Sequence, residues 1–123
     1  MNVLLAEDTE FNAILIQQML KQCGVESQLA KNGLECLNLV QKGKFDLILM
    51  DIEMPLMNGY EALERIRNFP DSKINKTPVV ALTAHSEEEV LEKIKTKGFN
   101  DILQKPFQKI ALENLLKLFE SYQ

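Results

Sequence analysis

Three carboxylates, a threonine and a lysine each stand where an apolar, strand-like run stops. The run 3–6 leads into Glu7 and Asp8, and the run 45–50, broken only by Asp46, leads into Asp51. Residues 79–82 end at Thr83, and residues 102–104 end at Lys105-Pro106. If these runs are parallel strands of one sheet, the five side chains gather at its carboxyl edge, where open α/β sheets bind ligands. Three acids beside one ammonium and one hydroxyl make a poor anion pocket but a good divalent-metal site. With charge neutralised by metal and lysine, such a site could admit a phosphoryl group.

The elements that must position this set are legible as an uninterrupted alternation. Five strand-like runs are each followed by a segment with helical periodicity, without a linker or a low-complexity stretch. Phe11, Ile14, Leu15, Met19 and Leu20 recur at helical spacing, and Gly24 can end that helix in the left-handed conformation. Asn32 and Asn58 each precede a glycine and stand three residues before a glutamate, the pattern of an N-cap with an acid at N3. Ser86 followed by Glu87, Glu88 and Glu89 reads as a further capping box, opening a helix with Val90, Leu91 and Ile94 that stops at Gly98. A last helix carries Ile110, Leu112, Leu115, Leu116, Phe119 and Tyr122, a stripe wide enough to cover a sheet. The first, third and fourth runs are almost wholly apolar, as parallel strands covered on both faces are. The second (25–30) and fifth (101–104) mix polar with apolar residues, which suits edges. Composition thus assigns the edges but not the order within the centre. Such βα units favour a parallel sheet with right-handed crossovers and helices on both faces.

Bulk properties set outer bounds. A chain of 123 residues, 46% apolar, supports one domain, 1–123, with an ample core. A formal charge of -4 and scattered lysines offer no basic field for direct nucleic-acid binding. No apolar run approaches the roughly 20 residues of a membrane span, and Glu7 and Asp8 interrupt any secretion signal at once, so the expected compartment is the cytoplasm. Cys23 and Cys36 lack metal-ligand spacing and are read as reduced thiols packed in helices. Met1 directly before the first strand is compatible with a piece excised from a larger protein.

Over its whole length the chain resembles the receiver domain of two-component response regulators, the CheY-like family. The resemblance is carried by Glu7-Asp8, by Asp51-Ile52-Glu53-Met54-Pro55-Leu56-Met57-Asn58-Gly59, by Thr83-Ala84 and by Lys105-Pro106, in order and at family spacing. Each motif alone is weak; together they are specific. The wording around them (Ala6-Glu7-Asp8, Met57-Asn58-Gly59-Tyr60, Ala81-Leu82-Thr83-Ala84-His85) looks most like receivers attached to hybrid sensor histidine kinases. The resemblance implies a single three-layer (βα)5 flavodoxin-like domain with strand order 2-1-3-4-5.

It also implies a chemistry. Asp51 would accept a phosphoryl group from a phosphohistidine, with a histidine kinase or histidine phosphotransfer domain as partner. Mg2+, or Mn2+ in its place, would be bound directly by Asp8, Asp51 and the backbone carbonyl of Glu53, with Glu7 acting through water. Lys105 would pair with one phosphoryl oxygen and Thr83 would donate its hydroxyl to another. Backbone N–H groups just after Asp51 and Thr83 could complete the cradle. A phosphoacceptor that catalyses only its own phosphorylation and dephosphorylation is not a conventional enzyme, although a full-length hybrid kinase would be one and could be membrane-anchored. The resemblance further implies a cis peptide at Lys105-Pro106, and gives Glu53 and His85 positions that flank the attacking water. A phosphohistidine role for His85 itself is disfavoured by its place in a loop. Met54, Met57, Phe99 and Phe107 are expected to pack. The family usually carries Tyr or Phe three residues before the lysine, where this chain has Ile102, so a weak or atypical conformational switch is expected.

Three other readings fare worse. A haloacid-dehalogenase-type phosphatase wants Asp two residues after its nucleophile, where this chain has Glu53. A flavodoxin-like cofactor site wants a hydroxyl- and glycine-rich loop after the first strand, where Glu7-Asp8 would repel phosphate. A degenerate receiver serving only as an interaction module would not need the intact five-residue set.

Overall fold

The computed structural model describes residues 1–120, and among these it has five strands and six helices. They run β1 (Asn2–Ala6), α1 (Glu10–Gln22), β2 (Glu26–Ala30), α2 (Gly33–Lys42), β3 (Leu47–Asp51), α3 (Gly59–Arg67), α4 (Ser72–Asn75), β4 (Val79–Thr83), α5 (Glu88–Thr96), β5 (Asp101–Gln104) and α6 (Lys109–Glu120). The strands form one parallel sheet of order β2-β1-β3-β4-β5, the flavodoxin-like arrangement implied above. Mixed composition marked the edges correctly: β2 and β5 carry exposed residues, whereas β3 and β4 are buried throughout.

Side chains alternate across the central strands and build a core on each face. Leu4, Ile48, Met50, Val79 and Ala81 meet α2, α3 and α5 through Val40, Leu63, Ile66 and Ile94. On the opposite face Val3, Leu5, Leu47, Leu49, Val80 and Leu82 meet α1 and α6. These are the three layers. Met54, Met57 and Phe99 pack in the first core as expected, with Phe99 meeting Tyr60 edge-on at 6.1 Å. Phe107 is half-buried against the second. Burial pushes the Cys36 thiol up to about 12, so it is an inert packing group, and Cys23 is a half-buried free thiol at the end of α1.

Four local features differ from the sequence reading or add to it. In α1 the side chains facing the sheet are Ala13, Ile16 and Leu20, while Phe11, Ile14 and Leu15 are 74%, 59% and 43% exposed. Helical periodicity identifies a stripe but not its direction, and here Ala13 lies on the buried face with Ile16 and Leu20. Ser86 does not cap α5: the N-cap is Glu87, without a side-chain cap bond, and its carboxylate is directed at His85 instead. An additional single helical turn, α4, is started by Asp71, whose side chain accepts from the Lys73 N–H at 2.9 Å. In α6, Leu112, Leu115, Leu116 and Phe119 are buried but Ile110 is exposed, and Tyr122 lies outside the described residues. No helix among the described residues is long and apolar enough to cross a membrane.

Candidate functional site

Register brings the five side chains to one level. Ala6 pairs with Met50, so Glu7 emerges beside Asp51 at the strand ends. Asp51 pairs with Leu82, one residue before Thr83, and Thr83 pairs with Gln104, one residue before Lys105. The Lys105 N–H donates to the Thr83 carbonyl at 2.7 Å, extending the β4–β5 ladder, and the Lys105-Pro106 peptide is cis as expected. At Gly59 an added Cβ would lie 2.6 Å from the Asp51 carbonyl oxygen and 2.8 Å from Ile52 Cα. Only glycine lets α3 begin this close to the end of β3.

The Lys105 ammonium binds two of the acids, 3.2 Å from Asp51 Oδ2 and 3.3 Å from Glu7 Oε2. Glu7 is buried, and Asn12 Nδ2 donates to its other oxygen at 3.2 Å. Asp8 is exposed, and one oxygen from each of Glu7, Asp8 and Asp51 lies within 4.8 Å of the others. Asp8, Thr9, Asp51, Glu53, Thr83 and Lys105 line the open cleft above. Three carboxylates against one ammonium leave net negative charge on an all-oxygen donor set, which fits a hard divalent cation.

Asp51 is 7% exposed, and its carboxyl is pushed up to about 6 by burial first and by the adjoining Glu7 second, with Lys105 acting against both. Burial disfavours the Lys105 charge, but Asp51 and Glu7 more than compensate and hold its pKa above the ordinary lysine value. The cluster therefore keeps its cation and disfavours the charge on Asp51. That is the electrostatic signature of a site prepared for further positive charge.

Backbone donors differ in part from expectation. The Ile52 N–H is committed to the Leu82 carbonyl at 3.2 Å, so the residue directly after Asp51 offers no free donor. The next one does face the acceptor: the Glu53 N–H donates to Asp51 Oδ1 at 3.2 Å. Thr83 is buried, and its Oγ1 accepts the His85 N–H at 3.0 Å, which leaves the hydroxyl proton available for donation.

Above the cleft, the expected pair Glu53 and His85 is in direct contact, Nε2 to Oε1 at 2.7 Å. The imidazole's Nδ1 lies 3.2 Å from Glu87 Oε2, so one ring bridges two acids and ties the β3–α3 loop to the β4–α5 loop. The hydrogen bond with Glu53, more than that with Glu87, raises the His85 pKa above its ordinary value. Sequence reasoning missed Asn12, Thr9 and the turn of Glu87 toward His85. A helical acid that follows a capping pattern carries no mark of facing a loop instead.

Residues 3–117 match the family model of the response regulator receiver domain. The hybrid signal transduction histidine kinase B of Dictyostelium discoideum is 39% identical over 115 residues, which is 86% of this chain but 6% of that protein. The chain thus spans a small part of this relative. The magnesium-coordinated receiver domain of the sensor histidine kinase PA1611 from Pseudomonas aeruginosa superposes with a TM-score of 0.87 at 31% identity, covering 96% of this chain and 95% of that one. The Saccharomyces cerevisiae receiver domain of Ssk1, solved with the histidine phosphotransfer protein Ypd1, gives a TM-score of 0.84 at 31% identity over 97% and 88% of the two chains. Agreement of this extent in sequence and in fold settles the family: the chain belongs to the response regulator receiver domains of two-component signalling.

Proposed function

We propose that residues 1–123 act as one receiver unit in which Asp51 accepts a phosphoryl group from a partner's phosphohistidine and later loses it to water, as a signalling switch or relay. The reading rests above all on Lys105 reaching from the end of β5 to both Glu7 and Asp51, with Asp8 completing the acid cluster. That contact joins residues far apart in sequence, and no structural need of the sheet edge explains burying so much charge there.

In the forward step an Asp51 carboxylate oxygen attacks phosphorus in line. The P–N bond to the donor imidazole breaks, and its electron pair returns to the ring nitrogen. Asp51 must be ionised to attack, and the Glu53 N–H on Oδ1 helps hold the carboxylate in one orientation. Lys105 pairs with an equatorial phosphoryl oxygen once Asp51 has become an uncharged acyl ester on that side. Thr83, whose proton is free, donates to another. Asp8, Asp51 and the Glu53 carbonyl would hold Mg2+, or Mn2+ in its place, with Glu7 behind them. The cation supplies the charge neutralisation without which a carboxylate and a phosphoryl anion repel. Magnesium in the cleft of the Pseudomonas relative supports that assignment.

The partner is a histidine kinase or a histidine phosphotransfer domain, as for the yeast relative, and the site works on the cytoplasmic side even if the parent protein is anchored in a membrane. The exposed apolar face of α1 supports a protein donor, because it borders a cleft lined by Leu15, Met19, Lys105 and Phe107 next to the acceptor. Hydrolysis releases phosphate with no free substrate turned over, so the chain modifies only itself. The test is intact mass after acetyl phosphate with and without Mg2+. One phosphoryl group is expected on the wild type with Mg2+ and none on a folded Asp51→Asn variant; equal labelling of that variant would refute the assignment.

A further inference from the structure

Asn12 stands in the first turn of α1, where alanine or leucine would serve the helix better. Asparagine is a weak helix former past the cap position, and the cap of α1 is Thr9. Half-buried on that turn, the Asn12 side chain reaches back five residues, and its Nδ2 donates to Glu7 Oε1 at 3.2 Å. That is its one side-chain bond among the described residues. The receiving side chain is wholly enclosed, with the Glu7 carboxylate 0% exposed. Its other oxygen, Oε2, lies 3.3 Å from the Lys105 ammonium. Lys105 and Asn12 thus hold Glu7 through one oxygen each.

The two partners are not equal during transfer. Lys105 is shared with Asp51, 3.2 Å away, and in the step proposed for Asp51 the ammonium turns to a phosphoryl oxygen. Glu7 Oε2 is then released, and the buried carboxylate keeps Asn12 as its fixed donor. An amide carries no net charge, so it orients Glu7 without offsetting the negative charge that a cation needs. Outer groups of this kind fix the direction of the acids around a metal and are worth about 10–100-fold in its affinity. Glu7 offers an oxygen within 4.8 Å of those of Asp8 and Asp51, so a rotation of its side chain changes the field at the cluster directly.

We propose that Asn12 is a positioning residue for the Mg2+ site, holding the Glu7 carboxylate in the orientation from which it supports the cation through water. This role rests on the metal site of the phosphoacceptor reading. It differs from a purely structural one. An asparagine that only satisfied a buried oxygen would change the melting temperature and leave the metal affinity as it is.

The experiment measures Mg2+ binding by titration calorimetry for wild type, Asn12→Leu, Asn12→Gln, Glu7→Gln and the double variant Glu7→Gln with Asn12→Leu. Melting in chelator checks that each is folded. Leucine is close to asparagine in size and favours the helix but cannot donate; should that variant not fold, Asn12→Ala takes its place. Asn12→Leu is expected to bind Mg2+ more weakly by about tenfold or more, with acetyl phosphate labelling reduced at low Mg2+ and restored at saturation. Asn12→Gln keeps the amide and is expected to stay within about threefold of wild type. In the Glu7→Gln background Asn12→Leu is expected to change affinity by less than about twofold, because the carboxylate it acts through is gone. Wild-type affinity in Asn12→Leu overturns the proposal, and so does an equal loss in both backgrounds, which would place the effect in α1 itself. A wild type that binds Mg2+ but takes no phosphoryl group from any donor refutes the phosphoacceptor reading alone, since the titrations still decide the role of Asn12. A wild type that binds no Mg2+ overturns both.

Discussion

At the scale of single residues the site is an electrostatic compromise, and Asp51 carries most of it. Its carboxyl is pushed up to about 6 by burial and then by Glu7, so the folded protein holds a proton that the unfolded chain releases near the ordinary value of 3.8. Between those two values the native state binds more protons than the unfolded one, and stability of the metal-free protein must fall as pH rises through that window. At pH 7 the native state therefore bears the full cost of an ionised, buried Asp51. Asp51→Asn removes this cost, and Lys105 keeps Glu7 as its partner. The variant is expected to be more stable than wild type by about 1–3 kcal/mol in chelator at pH 7, with the difference vanishing toward pH 4, as measured by urea unfolding. A destabilised variant at pH 7 would contradict the assigned cause. The residue types at strand ends were readable because each interrupts an apolar run. The bridge from His85 to Glu53 and Glu87 was not, since exposed side chains from two loops leave no periodic trace.

At the scale of elements, local signals were reliable where backbone donors had no other partner and misleading where a side chain had a better one. Asn58 and Glu61 form a full capping box, each accepting from the other's N–H at 2.9 and 3.1 Å. Asn32 accepts from the Glu35 N–H, but the Glu35 carboxylate reaches back to the Lys31 N–H rather than to its cap. The third pattern, at Ser86, is not used, because Glu87 opens α5 and turns to His85. Asn58→Ala is accordingly expected to cost about 1 kcal/mol of stability, whereas Ser86→Ala stays within about 0.5 kcal/mol of wild type, as expected for a surface change. Chemical denaturation of both variants checks this, and a larger loss at Ser86 would mean that the α5 start is held differently. The direction in which α1 faces was hidden for a related reason. Apolar residues occupy both of its faces, and only the partner sheet selects between them.

At the scale of the whole molecule, alternation fixed the class of fold and mixed composition found the edge strands, but the order of the centre came from the family resemblance. β1, β3 and β4 are equally apolar, so nothing in their residues ranks them. Convergence of the site depends on that order, because it makes neighbours of strand ends that are distant along the chain. The same sheet would carry any signal from Thr83 to the α5–β5–α6 face, where Ile102 is half-buried and packs against the first core. An aliphatic side chain there provides no ring to swing inward, so binding of beryllofluoride with Mg2+ is expected to give small amide shifts over residues 83–107, enlarged in Ile102→Tyr. Shifts in the wild type as large as those of receivers with an aromatic at that position would refute a weakened switch. The most direct test of the central claim is the location of the phosphoryl group itself. After treatment with a phosphodonor and Mg2+, borohydride reduces an aspartyl phosphate to homoserine, and tandem mass spectrometry reads its position. Homoserine at position 51 alone is the expected result; label on Glu7, Asp8, Glu53 or His85, or on no residue, would contradict it.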